Sequence, residues 1–450
     1  MKKKFLFGIL IAFCMLNACS TEVQENVNEV INNDVSEPAP ENPSEPVEMP
    51  ETKPVKEKPY HAPYPALEPI KLHLNPSEPV ADTGFRDIVI HFDNPDYKIS
   101  KTQSASAQVS IGDIQNAAAK VSLYGNSTIE CAKRPIKIKF QERQMLGDGG
   151  KKYHLISNIY DKSFIHNYVV FELAEYMDGG FHVPYHEFVN VYVTYDGLEE
   201  HGFQGVYLMA EKISQSDFAP NDLKYVFEED YRVYYDDPEN GVEGLDWFWM
   251  GEDYIQCFEV KEDTSEEICA DIKARLENIW DIILEKDWEK IQQNVDIENI
   301  TKSFLLDELV KDPDVGQTSV YWGIRPDGRL CIASIWDNDL TFGCGEVGRA
   351  DEGLFCKKNA IFGRLLKVPE FKEYYRQYFL DHYAEWQNYI NKTIDSVTTT
   401  YYTDFENEYL VWESKYNWCN EEMKDLDYPG QLEYMKSWLD ERIQFLKNEL

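Results

Sequence analysis

The nine residues Ile335–Gly343 read Ile-Trp-Asp-Asn-Asp-Leu-Thr-Phe-Gly, and the rest of the chain is best interpreted outward from them. An apolar, β-branched start leads straight into two carboxylates, Asp337 and Asp339, which alternate with an amide before the chain turns at Gly343. A strand that ends in this way presents paired hard oxygen ligands, which divalent cations such as Mg²⁺ prefer. The stretch therefore predicts a strand that ends at a metal site.

The segment before this stretch predicts a third carboxylate in the same place. Apolar periodicity over Ile297–Val310 predicts a buried helix, and the helix must end near Asp312-Pro313-Asp314 because proline disfavours helical geometry in the residue before it. Two predicted strands, Val320–Ile324 and Leu330–Ile335, then surround a Pro-Asp-Gly turn. We expect Asp314 to lie in a loop just after a well-packed helix, before the hairpin that leads to the paired carboxylates.

A loop Asp, a hairpin and two further Asp occur in this order in kinase-like phosphotransferases. In that chemistry Asp314 would accept or orient the proton of the attacking hydroxyl, while Asp337 and Asp339 would hold Mg²⁺ on the nucleotide phosphates. Ser319 stands where typical protein kinases often place an Asn metal ligand, and a hydroxyl ligates more weakly. Taken singly, each Asp is better explained as a turn or capping residue, so the metal site is favoured only by the ordered set.

Kinase-like chemistry also needs a lysine for the nucleotide phosphates and a carboxylate that positions it. The predicted strand Ile136–Phe140 alternates strictly, so Lys137 and Lys139 share one face, which is either a solvated face or the wall of a cleft. We prefer Lys139 because it lies nearer the end of the strand. Glu172 in the next predicted helix is the candidate partner, and Glu211 at the end of a later strand is its competitor.

The remaining pattern predicts an α+β fold with a β-rich N-terminal part and a helical C-terminal lobe. Short strands and a hairpin precede residue 211, and four apolar-periodic stretches follow residue 360, where Lys372, Arg376 and Arg442 are expected to solvate the outer faces of helices. Residues 217–253 are acidic, rich in Tyr and Trp and poor in apolar periodicity. We interpret them as a long, irregular insertion or lid.

Composition limits the class of partner. The chain has 450 residues and a formal net charge of -37, which repels phosphate backbones, so we expect no nucleic-acid partner. A substrate such as ATP would need local Lys, Arg or metal to offset this field. Seven cysteines follow Cys19, and one or two disulfides are possible, with Cys344 and Cys356 the nearest pair. The alternative is that most of them are small buried apolar residues.

The N-terminus predicts export. A basic start and a short apolar run end at Leu16-Asn17-Ala18-Cys19, which resembles a bacterial lipobox, so we expect residues 1–18 to be a signal peptide and Cys19 to carry a lipid anchor. An ordinary signal peptide with an incidental Cys is the alternative. Residues 19–65 are acidic and rich in Pro and Glu, which predicts an extended tether, and residues 66–450 would form the folded domain.

Several motifs in a fixed order resemble the spore-coat CotH kinase family. They are Leu123–Ser127, Lys133–Phe140, His166-Asn167, Gly205–Tyr207 with Glu211-Lys212, Asp312–Asp314, Ile335–Asp339, Arg364–Leu366 with Pro369–Phe371, and Trp438–Arg442. The resemblance implies an atypical protein-kinase-like fold, ATP with Mg²⁺ or Mn²⁺, and phosphate transfer to Ser or Thr hydroxyls. With the export signal, the acceptor would be an exported protein, and the enzyme would be anchored in the cell envelope, facing outside the cytoplasm.

The chain departs from the family pattern at the nucleotide side. Tyr124 stands before Gly125 where the family usually has Arg, and His166 stands before Asn167 where Arg is also usual. Two alternatives to a kinase therefore stay open. One is a non-catalytic surface scaffold or adhesion protein that retains the fold, and the other is a divalent-metal hydrolase using the same three Asp.

We predict that Cys19 carries the membrane anchor. Replacing Cys19 with Ala removes the thiol that a lipoprotein anchor requires, so incorporation of a labelled fatty acid should fall to background. The check is metabolic labelling of the expressed full chain, with Cys14→Ala as the control because Cys14 lies within the predicted signal peptide. Equal labelling of wild type and the Cys19→Ala variant would contradict the prediction.

Overall fold

The computed structural model of the protein describes residues 68–72, 84–147, 149–198, 202–213, 222–230, 247–250, 256–260, 265–316, 318–344, 349–412 and 422–450. The chain divides into two units, Met1–Pro59 and Tyr60–Leu450, and every described residue belongs to the second. The predicted signal peptide, the anchor at Cys19 and the tether over 19–65 lie outside the described residues. They stay predictions.

Seven strands in the N-terminal half of the described region close into a barrel in the order β1-β2-β3-β4-β5-β7-β6. Neighbours pair antiparallel except β1 and β6, which run parallel. Closure leaves no unpaired edge on this sheet. The strands are β1 Arg86–Phe92, β2 Ala105–Ile111, β3 Ile114–Leu123, β4 Ile136–Gln144, β5 Gly150–Ile156, β6 His186–Tyr195 and β7 Gly202–Glu211.

Strand β4 shows how the barrel is filled. Ile136, Ile138 and Phe140 are buried in the barrel core, while Lys137 is half-buried and Lys139 is exposed on the outer face. The predicted alternation is confirmed, because side chains along a strand point alternately to opposite faces. Both lysines therefore lie on the outside of the barrel.

A second, five-stranded antiparallel sheet has the order β12-β11-β8-β10-β9. Its strands are β8 Tyr225–Glu229, β9 Trp247–Met250, β10 Gln256–Val260, β11 Val320–Ile324 and β12 Leu330–Ser334. The hairpin β11–β12 has the bounds expected from the sequence to within one residue. Strands β8 and β9 lie inside the segment 217–253, so its interpretation as irregular is wrong for these residues, and the rest of it lies outside the described part.

Seven helices complete the described residues: α1 His166–Met177, α2 Glu266–Glu285, α3 Trp288–Asn294, α4 Ile297–Val310, α5 Ala360–Leu365, α6 Pro369–Trp412 and α7 Tyr428–Glu449. Helix α6 is interrupted by non-helical backbone at Tyr401. The largest apolar cluster joins these helices to Leu208 and Ala210 of β7 and to Trp322 of the second sheet. The expected α+β class is confirmed, with a β-rich N-terminal part and helices toward the C-terminus. No helix within the described ranges is both long and apolar enough to cross a membrane.

Helix α4 is buried on every side and is anchored by the C-terminal helix. Arg442 of α7 is fully buried; its Nη2 lies 2.7 Å from Glu308 Oε2, and its Nε donates to the Glu308 carbonyl at 2.8 Å. Our expectation that Arg442 solvates an outer helix face is therefore wrong. The guanidinium reaches across the core because Glu308, one turn before the end of α4, faces inward.

A second buried ion pair ties the barrel to α6. Lys133, in the loop between β3 and β4, lies 2.5 Å from Glu408 Oε1, and both side chains are buried. The same ammonium donates to the Val206 carbonyl of β7 at 2.5 Å and lies 4.5 Å from the centre of the Tyr207 ring. The β3–β4 loop is thereby fixed against both the barrel wall and a C-terminal helix.

The described cysteines are all reduced. Cys344 and Cys356 are both buried, and their thiols donate to the carbonyls of Tyr160 and Phe304. The possible disulfide between them is not formed. This pair instead fits the alternative interpretation, in which the cysteines are small buried residues.

We predict that Arg442 is essential for stability. Arg442→Ala leaves Glu308 charged and buried without its cation, so the free energy of unfolding should fall by about 3–5 kcal/mol. Lys372→Ala is the control, because Lys372 on α6 is exposed and its loss should cost less than about 0.5 kcal/mol. Chemical denaturation followed by circular dichroism measures both, and equal losses would refute the anchoring role.

Candidate active site

The structure brings Asp314, Asp337 and Asp339 close together beside one cleft, which Asp314 and Asn338 line. Asp314 begins a 3₁₀ turn after α4 and is half-buried, whereas Asp337 is exposed and Asp339 is buried in the loop that follows β12. Burial, followed by the charges of Asp337 and Asp314, raises the pKa of Asp339 well above its usual value. The ordered set predicted from the sequence is thus gathered in space.

Asn338 holds the two carboxylate-bearing segments together. Its backbone N–H donates to Asn167 Oδ1 of α1 at 2.7 Å, and its side-chain Nδ2 donates to Asp312 Oδ2 at 2.7 Å. Asp312 Oδ1 in turn accepts the backbone N–H of Asp314 at 2.9 Å. One amide between two Asp therefore positions both the loop after β12 and the turn after α4.

Ser319 and Asp337 meet across the hairpin in unusual backbone conformations. The Ser319 hydroxyl donates to Asp337 Oδ2 at 2.9 Å, and the two residues have φ of 60° and 65°. Positive φ is costly for residues other than glycine and persists where surrounding contacts enforce it, often at functional sites. The predicted ligand position Ser319 is therefore in direct contact with the predicted metal carboxylate.

Two further carboxylates belong to the cleft and were missed at the sequence level. Asp307 and Asp312 line it and are buried, and burial is the main cause that raises the pKa of each well above its usual value. The second cause is the negative charge of a neighbouring carboxylate, which raises the pKa further: Glu308 acts on Asp307, and Asp307 acts on Asp312. Their proximity to the predicted Asp was visible in the sequence, but their inward direction depends on the packing of α4.

The donor set fits a divalent cation that is completed by a substrate. Among the described residues, no three His, Cys, Asp or Glu side chains converge closely enough to hold an ion by themselves. Mg²⁺ usually takes one or two protein carboxylates plus phosphate oxygens, so Asp337 and Asp339 suffice in number. Asn338 Oδ1 is buried without a hydrogen-bond partner and adds a neutral oxygen at the same place.

The barrel side of the site is aromatic. The Tyr124 ring, just after β3, stacks on His154 of β5 at 4.0 Å between centroids, and His154 lies 5.6 Å from the Trp336 ring. Burial and then the charges of Asp337 and Asp339 raise the pKa of Tyr124 well above its usual value. The residue that departs from the family pattern therefore sits directly beside the carboxylates.

Lys137 lies nearer this site than Lys139. Lys137 is directly opposite His154 in the β4–β5 register, and its charge, after burial and the charge of Lys212, lowers the pKa of His154 well below its usual value. Lys139 lies two residues further along β4, about 7 Å away, opposite Lys152. Our preference for Lys139 is therefore not supported by this placement, and Lys212 joins the site.

Neither candidate glutamate lies with these lysines. Glu172 Oε1 of α1 is 3.4 Å from His186 Nε2 on β6. Glu211 lies on the same face of β7 as Tyr207 and Met209, which belong to the barrel core. Burial, followed by the charge of Glu211, raises the pKa of Tyr153 in that core. Lys137 and Lys139 point outward, so Glu211 and the lysines lie on opposite faces of the barrel wall.

His166 and Asp161 support the site from behind. Asp161 accepts the backbone N–H of His166 at 2.7 Å and lies 3.3 Å from its Nε2, while His166 Nδ1 is 3.3 Å from the Asp339 carbonyl. All three side chains are buried. His166 therefore fixes the backbone of Asp339 instead of facing the cleft, and burial lowers its pKa.

Comparison with protein-family models gives a match over residues 121–446 to a model described as CotH kinase protein. The match covers more than half of the chain and includes all of the carboxylates in the cleft. No curated protein matches the chain.

We predict that Asp339→Asn stabilises the metal-free protein at pH 7. A raised folded pKa means that ionised Asp339 costs stability above the unfolded pKa of about 3.9, and this cost disappears below it. In EDTA the variant should gain on the order of 1 kcal/mol at pH 7 and nothing at pH 3. Thermal denaturation at both pH values is the measurement.

Asp113→Asn is the control for this change, because Asp113 is exposed in the β2–β3 turn. It should alter the melting temperature at neither pH. If Asp339→Asn were destabilising at pH 7 in EDTA, the repulsion between the carboxylates would not be the dominant influence on Asp339.

Proposed function

The chain belongs to the CotH kinase family, and from that premise we propose that it transfers phosphate from ATP, with Mg²⁺ or Mn²⁺, to Ser or Thr hydroxyls of an exported protein. The observation that carries the proposal is the proximity of Asp314, Asp337 and Asp339, because Asp339 is buried and lies close enough to feel the charges of the other two. A divalent cation would offset the repulsion among these carboxylates. The two sheets and the helical lobe would then form an atypical kinase-like fold.

Asp314 is the proposed acceptor of the proton. The hydroxyl oxygen bonds to the γ-phosphorus as the bond to the β–γ bridging oxygen breaks, ADP leaves, and the hydroxyl proton passes to Asp314. Asp314 suits this role because it is half-buried on a turn whose backbone is held by Asp312. A carboxylate fixed in this way keeps its oxygen directed at the acceptor.

Asp337 and Asp339 are the proposed metal ligands, with Ser319 as a weaker one. A bound divalent cation would neutralise charge on the β- and γ-phosphates. The protein's part is to hold the ligands in fixed positions, to which the hydrogen bonds of Asn338 and of the Ser319 hydroxyl contribute. Asn338 Oδ1 is a further candidate ligand because it has no hydrogen-bond partner.

Lys137, and not Lys139, is the proposed residue that neutralises the nucleotide phosphates. It faces His154 beside Trp336, next to the carboxylates, and Lys212 contributes a second positive charge there. Glu172 and Glu211 do not serve as its partner in this proposal. The positions of both glutamates are explained by His186 and by the barrel core.

A lipid anchor on Cys19 completes the proposal and places the enzyme in the cell envelope, outside the cytoplasm. The competing function is a non-catalytic scaffold. It is favoured by Tyr124, whose stacked, half-buried ring stands where the family usually has Arg and offers no cation to phosphate. Titration calorimetry with ATP and Mg²⁺ separates the two, because a scaffold would fold normally and bind no nucleotide.

We predict that Asp314→Asn lowers phosphate transfer by at least about 100-fold, because general-base catalysis contributes roughly this much. Nucleotide affinity should be unchanged, since Asp314 acts on the acceptor. The measurement is incorporation of labelled phosphate from ATP, with Mg²⁺ or Mn²⁺, into a Ser-rich acceptor protein, alongside calorimetry.

The matched control is Asp381→Asn on the exposed side of α6, which should leave transfer at the wild-type rate. Equal incorporation by wild type and Asp314→Asn would remove Asp314 from catalysis. Absence of transfer and of nucleotide binding in the wild type would instead favour the scaffold.

A further inference from the structure

Three lysines stand side by side on the outer face of the barrel. Lys120 of β3 is directly opposite Lys139 of β4, and Lys139 is directly opposite Lys152 of β5. Lys212 extends the row, because its backbone N–H donates to the Lys152 carbonyl at 2.9 Å. We call Lys120, Lys139 and Lys152 the lysine row.

The lysine row is an exception within a protein of net charge -37. Like charges directly opposite each other on neighbouring strands destabilise a sheet. Lys120 donates to the Ser106 hydroxyl at 2.7 Å, and no ion pair to Lys139 or Lys152 is found within the described part of the chain. Lys120 and Lys139 are exposed, and Lys152 is half-buried. The row thus retains a repulsion that an anionic ligand would relieve.

The row lies beside the candidate active site. Lys152 and His154 are alternate residues of β5, so they share the outer face about 7 Å apart. His154 lies 5.6 Å from Trp336, which lines the cleft, and Lys137 stands opposite His154. The row crosses the strands and the step from Lys152 to His154 runs along β5, so a ligand bound on the row lies next to the residues that border the cleft.

We propose that the lysine row docks an acidic polypeptide segment of the acceptor protein, next to the hydroxyl that receives phosphate. The role of this segment as phosphate acceptor rests on the proposed function, whereas the binding of the segment to the lysine row does not. A polypeptide fits better than a membrane or nucleic acid. The row is one side chain wide on a curved barrel wall, which suits a single extended chain better than a flat lipid surface. The net charge of -37 repels the closely spaced phosphates of a nucleic acid more strongly than it repels a short peptide with a few carboxylates.

The test compares two triple variants of the full chain. Lys120→Gln/Lys139→Gln/Lys152→Gln removes the row, and Lys367→Gln/Lys372→Gln/Lys392→Gln removes the same charge from exposed positions of the helical lobe. The probe is a labelled peptide with one Ser flanked by Glu, measured by fluorescence anisotropy without nucleotide. The row variant should bind about tenfold more weakly, with a loss that shrinks at high salt, and the control should bind as wild type.

The second measurement is the rate of phosphate transfer to the same peptide. The row variant should raise KM for the peptide and leave kcat and the KM for ATP unchanged. If binding depends on the row but no variant or wild type transfers phosphate, the docking surface stands and the proposed function fails. The proposal is overturned if both triple variants weaken binding equally, if a Lys-flanked peptide binds as well, or if anionic lipid vesicles bind through the row and the Glu-flanked peptide does not.

Discussion

The candidate site depends on a single asparagine that is hydrogen-bonded to two other segments of the chain. Asn338 lies between two Asp of its own loop. Its backbone is fixed to α1 by the hydrogen bond to Asn167, and its side chain fixes the turn after α4 by the hydrogen bond to Asp312. Without these bonds the mutual repulsion of five carboxylates would separate the segments. Hydrogen bonds to a buried charged partner are worth more than neutral ones, which is why one residue can hold the arrangement.

Buried ion pairs extend this control to the rest of the domain. Arg442 with Glu308 locks the C-terminal helix against α4, and Lys133 with Glu408 locks α6 against the loop that carries Tyr124. Such pairs cost desolvation and are weak evidence for stability, but each fixes one relative position. The carboxylate side and the aromatic side of the candidate site are thus each held in position by an ion pair to the same helical lobe.

Local signals could be predicted from the sequence, and long-range partners could not. Helix Ile297–Val310 and the following hairpin have the expected bounds because periodicity, Pro313 and a turn signal act within a few residues. The burial of Arg442 depends on a partner far away in the chain, and its helix face alone predicts solvent. Which of Lys137 and Lys139 lies nearer the candidate site also depends on a long-range feature, the register of β4 against β5, because both lysines lie on the same face of β4.

The pairing of Arg442 with Glu308 also has a temporal consequence. Ribosomes deliver the chain from its N-terminus, so the barrel strands and α4 emerge well before α7. Until Arg442 is available, Glu308 lacks its partner, and the last turn of α4, which leads into the turn that carries Asp312, lacks this contact. A nascent or C-terminally truncated chain would therefore form its barrel strands before the carboxylate cluster is fixed, so the candidate site would be assembled late in biogenesis.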